Sequence, residues 1–95
     1  MINILIVYDI KTSSDNGEKR LQKVSKICEN YGIRVQDSVF ECNIDSGKLL
    51  VLKDKLLEVI NEDEDSIRIY KLKSKEPDIL GKINIIDSFD LGFFL

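Results

Sequence analysis

Histidine and tryptophan are absent from this chain, proline occurs once and cysteine twice. Without an imidazole, no serine, cysteine or ribonuclease-type mechanism that relies on histidine as the general base is open to it. Any chemistry must rest on carboxylates, tyrosine, lysine or a metal-bound water. The two cysteines, Cys28 and Cys42, form no CxxC pair and have no histidine to join them, so a zinc site is not expected. They read as reduced residues of the core. No apolar stretch approaches the ~20 residues of a membrane span, and no basic region with a small-residue cleavage site stands before the first apolar run. The expectation is a cytoplasmic protein with no membrane partner.

What is present fits one compact domain. A chain of 95 residues buries roughly 60 to 65% of its unfolded surface, enough for one core and not for two. The hydrophobic fraction of 43% with 33% charged residues is ordinary for a globular protein. A net charge of -3 argues against indiscriminate binding to polyanions, yet the sign is uneven along the chain. Lys11, Lys19, Arg20, Lys23, Lys26 and Arg34 crowd the first third, whereas Glu62, Asp63, Glu64 and Asp65 form an acidic block.

Residues 2–8 are a nearly continuous apolar run rich in Ile and Val, as in a central strand covered on both faces, and the run ends in Tyr8-Asp9. After the polar KTSSDNG, the spacing of Leu21, Val24, Ile27, Cys28 and Tyr31 predicts a helix. Asp15 and Glu18 resemble a capping box, Gly32 is placed to end the helix, and Lys19, Lys23 and Lys26 share the opposite face. In IRVQDSVFECNI, Ile33 and Val35 alternate in one phase and Phe40, Cys42 and Ile44 in the other. A strand changes its buried parity only through a bulge or a turn, which falls near Gln36 to Ser38. A second helix starts at a Ser46 cap and carries Leu49, Leu52, Leu56 and Ile60, flanked by Leu50, Val51 and Leu57. The acidic block then reads as a solvated connection, and SIRIYKL as another strand.

The order β-α-β-β-α-β over residues 1–72 is an α+β, ferredoxin-like arrangement: a four-stranded antiparallel sheet with both helices on one face. Residues 73–81 hold the only proline and read as a linker, KINIID as an additional C-terminal strand, and FDLGFFL as an apolar tail. Phe93, Phe94 and Leu95 need a surface to bury against. The expected partner is a second copy, with the added strand extending the twin's sheet edge in a two-fold homodimer. The alternative is a tail folded back on its own domain.

Taken together and in this order, Tyr8-Asp9, Arg34-Val35-Gln36, Ser38-Val39-Phe40-Glu41 and the DSIRIYKL segment beginning at Asp65 resemble the CRISPR-associated Cas-two family. The likeness covers about residues 1–72 and extends to Thr12, Gly17, Arg20, Leu21, the Cys28 to Gly32 region and Cys42, as in the branch with a longer loop after Asp9. It implies a ferredoxin-like homodimer that works with the Cas-one integrase to capture invader DNA as a new spacer. It also implies metal-dependent endonuclease activity on single-stranded RNA or double-stranded DNA. In that reading the Asp9 carboxylates of two subunits share a Mg2+ ion, with Mn2+ as a substitute, and Asp9 is both metal ligand and catalytic residue.

Magnesium suits this reading, because it prefers oxygen ligands, keeps several waters and is held by one or two carboxylates plus substrate phosphate. An Asp at the end of an apolar strand must otherwise face solvent or cap the first helix. Lys19, Arg20, Lys23 and Arg34 are candidate phosphate contacts, the alternative being a solvated helix face, and Ser38 is a candidate hydrogen-bond donor to phosphate. Tyr8 is expected on the face opposite Asp9, either packed or touching nucleic acid. Phe40 reads as core or dimer interface, and Asp37 adds negative charge beside the groove. Two further classes compete with the nuclease: a non-catalytic adaptor holding integrase and duplex, and a regulatory module or toxin-like ribonuclease of the same fold.

Overall fold

A computed structural model describes residues 1–73 and 77–82 of the chain. The elements run β1 (Ile2–Asp9), α1 (Gly17–Glu29), β2 (Gly32–Gln36), β3 (Val39–Ile44), α2 (Ser46–Val59) and β4 (Ser66–Leu72). The four strands form one sheet in the order β2-β3-β1-β4, with every neighbouring pair antiparallel. This is the ferredoxin-like α+β arrangement that the alternation of elements predicts.

The inner position of β1 explains its unbroken apolar run. Both of its edges are hydrogen-bonded, with Ile6 opposite Phe40 on β3 and Ile69 on β4. Period two then divides its side chains. Ile4, Ile6 and Tyr8 are buried against the helices with Val24, Cys28, Phe40, Leu52 and Leu56, while Asn3, Leu5, Val7 and Asp9 point to the other face. Tyr8 is accordingly a core residue rather than a surface one. Its hydroxyl lies 2.7 Å from Ser25 Oγ and donates to the Asp37 carbonyl at 3.1 Å. Burial pushes its phenol pKa up, against the opposing effect of the Ser25 hydrogen bond.

The parity change falls where expected. A bulge lies between Arg34 and Gln36, and Asp37 and Ser38 form the turn between β2 and β3. Phe40, Cys42 and Ile44 thereby reach the core. Both cysteines are free and buried, and burial pushes the Cys28 thiol up to about 12 and the Cys42 thiol up to about 11, which leaves them protonated and inert.

The helix ends differ from expectation by a residue or two. Asn16, not Asp15, precedes α1, in the left-handed region at φ 62° and with no side-chain cap. A Cβ on Gly17 would collide with the Lys11 carbonyl and meet Thr12 Cα at 2.7 Å, so glycine there admits the loop against the helix start. Asp45, not Ser46, caps α2, accepting the Lys48 N–H at 2.7 Å. Gly32 does not end α1, which closes through Asn30; it opens β2, where a Cβ would strike the Glu41 carbonyl and the Cys42 sulfur. The expected C-terminal strand at 82–87 and the apolar tail lie, from residue 83 on, outside the described residues. Among the described residues no helix is long and apolar enough to cross a membrane.

Candidate functional site at the end of the central strand

Asp9 closes β1 on the sheet face that no helix covers, and it is exposed. Among the described residues its carboxylate enters no ion pair, and α1 begins at Asn16 without its help. Capping is therefore not its role. Directly opposite on β4 stands Ser66, and Arg68 is opposite Val7, so both share the open face with Asp9. On the β3 side, the Tyr8 N–H donates to the Ser38 carbonyl at 3.0 Å, which brings the Asp37-Ser38 turn to the same end of the sheet.

The loop that follows Asp9 is braced by a buried ion pair. Asp65 has a fully enclosed side chain, and Arg20 is 12% exposed. The Asp65 carboxylate accepts Arg20 Nε at 2.8 Å, the Asn61 N–H at 2.9 Å and the Lys11 N–H at 3.0 Å. Arg20 also donates to the Asp15 carbonyl and to Ser14 Oγ, each at 2.8 Å. The Arg20 hydrogen bond, aided by the two backbone amides and opposed by burial, holds the Asp65 pKa down to about 2. The acidic block thus contains one structural carboxylate, and Arg20, expected at a phosphate, is bonded within the chain. A sequence pattern offers one hint of this: Asp65 is the acidic residue that abuts a strand.

Arg34 also sits away from Asp9. Paired with Phe40 in the ladder, it projects to the helix side, donates to Glu29 at 3.0 Å and lies 5.1 Å above the Phe40 ring. Lys19 and Lys23 are exposed on α1 and enter no ion pair among the described residues, but α1 belongs to the layer across the sheet from Asp9. Ser38 is half-buried beside the end of β1. Among the described strand residues, Arg68 is a cation on the face of Asp9, which strand pairing had to reveal.

Among the described residues no three carboxylate or thiol side chains cluster closely enough to enclose a metal ion. One exposed carboxylate with no ion-pair partner among the described residues is nevertheless a fitting ligand for an ion that keeps most of its waters.

Comparison with known proteins identifies the family. Residues 1–78 match the family model described as CRISPR associated protein Cas2. A CRISPR-associated endonuclease Cas2 of Halalkalibacterium halodurans is 50% identical over 88 residues, covering 93% of this chain and 92% of that protein. A CRISPR-associated endoribonuclease Cas2 of Moorella thermoacetica is 42% identical over 94 residues, covering 97% and 98%. The crystal structure of Streptococcus pyogenes Cas2 superposes with a TM-score of 0.72 at 41% identity, over 83% of this chain and 99% of that one. With its sheet order, its strand-end Tyr8-Asp9 and relatives matched over nearly their whole length, the chain belongs to the CRISPR-associated Cas2 family.

Proposed function

We propose that two copies of this chain form a metal-dependent endonuclease for nucleic acid within CRISPR adaptation, with Asp9 of each copy contributing one ligand to a shared Mg2+. The observation that carries this reading is Asp9 at the end of the central strand, exposed and with no ion-pair partner among the described residues. The open face around it holds half-buried Leu5, Val7, Ile33 and Val39 with no covering layer among the described residues, a surface suited to a second copy. Two copies meeting there bring their Asp9 carboxylates to one axis. A bound Mg2+ supplies a Lewis acid for the scissile phosphate and lowers the pKa of its water, work that a histidine base does elsewhere. Asp9 holds the ion, Ser38 offers a hydroxyl to phosphate, and exposed Lys19 and Lys23 attract the nucleic-acid backbone without reading its sequence. Double-stranded DNA is the substrate, on which the dimer acts together with the Cas-one integrase in spacer capture, and single-stranded RNA is the second substrate.

The test is cleavage of labelled single-stranded RNA and duplex DNA with Mg2+, Mn2+ or EDTA, over a pH series, for the native protein and Asp9→Ala. Cleavage that needs metal and disappears in the variant, with dimerisation intact, is the expected result. One observation favours a second reading, a non-catalytic adaptor: the Lys19 and Lys23 stripe lies across the sheet from Asp9. No cleavage, or equal cleavage by both proteins, would select that adaptor.

A further inference from the structure

The open face of the sheet carries two opposite charges that the metal site does not use. We propose that Glu41 of each copy pairs with Arg68 of the other, an ion pair made twice by the two-fold axis that sets how the two sheets face each other; this rests on the reading of that face as the contact with a second copy.

The charged residues that the described strands place on the open face are Asp9, Glu41 and Arg68. Glu41 stands on β3 between Leu5 and Ile33, each directly opposite it in a ladder, and is half-buried before any second copy arrives. Burial already pushes its carboxyl pKa up. Arg68 stands on β4 opposite Val7, exposed, with the Tyr70 hydroxyl beside its guanidinium. Neither charge enters an ion pair among the described residues. Within one chain β1 lies between them. Their strands are therefore about 10 Å apart, and side chains that stand upright on the same sheet do not meet across that gap.

Symmetry brings together what the single chain holds apart. An axis that joins both Asp9 carboxylates and also covers Leu5 and Val7 runs along β1, because an axis across the strands at Asp9 would leave those side chains bare. Rotation about that axis exchanges the neighbours of β1, so β3 of one copy faces β4 of the other at nearly the same level along the strands. Leu5 marks the level of both Glu41 and Tyr70. Glu41 thus comes down on Tyr70, where the guanidinium of Arg68 lies. Facing sheets pack about 10 Å apart, a gap that a glutamate and an arginine reaching toward each other can close. A second copy takes water from both charges, and their pairing offsets a loss that neither would recover alone.

Sedimentation of the full chain over a dilution series in EDTA tests this without metal or cleavage. Glu41→Arg and Arg68→Glu each set like charges together twice per dimer, and each should raise the dimer dissociation constant about a hundredfold or more. An equimolar mixture of the two variants should regain the native constant, because every contact then joins opposite charges. A pair formed within one chain would give no such rescue. Should a reversal unfold the chain, which circular dichroism reports, Glu41→Gln, Arg68→Gln and their combination carry the same test, with losses of affinity that fall short of additive. A native dissociation constant in either folded reversal variant, a mixture of folded variants that gains nothing, or additive losses would overturn the Glu41-Arg68 pair while leaving the dimer. A monomeric native chain would overturn the two-copy reading and the pair with it.

Discussion

Asp65 carries its charge in an enclosed setting, with Arg20 and two backbone amides as its partners. Its pKa of about 2 in the folded chain lies below the ordinary value of 3.8. Between those values the unfolded chain binds more protons than the folded one, so stability rises with pH there. The contribution is complete above about pH 4 and fades as pH falls toward 2. Urea unfolding across this acid range should show the slope in the native protein and a flatter one in Asp65→Asn; equal slopes would refute the assignment. Tyr8 and Phe40 belong to the same scale. Phe40 is fully buried, and Phe40→Ala should cost about 3 to 5 kcal/mol. Tyr8→Phe removes the hydroxyl shared with Ser25 and Asp37 and should cost about 1 kcal/mol by the same unfolding measurement.

Helices and strands were legible to different depths. Alternation in residues 33–44 showed the parity break, because a bulge and turn are written in which residues are apolar. Caps were misread by one residue in both helices. Asp15-Asn16 and Asp45-Ser46 are each adjacent cap-forming residues, and which of a pair stands at the boundary depends on how the preceding loop is held. Before α1 that hold is the Arg20-Asp65 brace, a contact between residues 45 apart in the chain. Asp45→Ala should therefore cost about 1 kcal/mol, and Ser46→Ala only a few tenths, in chemical unfolding. Asn16, at φ 62°, should accept glycine with little loss, whereas Asn16→Val should cost about 1 to 2 kcal/mol. The reverse order in either pair would contradict the geometry described.

At the scale of the whole molecule, the exposed position of Asp9 was readable because a carboxylate at the tip of an apolar strand must face solvent, cap a helix or bind something. Arg68 was not, since its place beside Asp9 exists only once β4 is paired with β1. Arg20 and Arg34 looked like phosphate contacts from charge alone; in the fold Arg20 is bonded to Asp65, 45 residues away, and Arg34 to nearby Glu29 with its guanidinium over Phe40. The open sheet face and the apolar C-terminal residues lead to a dimer, which light scattering should find at micromolar concentration. A monomer there, unchanged by deleting residues 82–95, would remove the basis for a shared site. The most direct test of that site is the stoichiometry of metal binding, read by titrating Mn2+ and following its electron paramagnetic resonance signal. One ion per two chains, lost in Asp9→Asn while the dimer persists, is the result the paired-carboxylate account predicts. One ion per chain, or binding indifferent to Asp9→Asn, would contradict it.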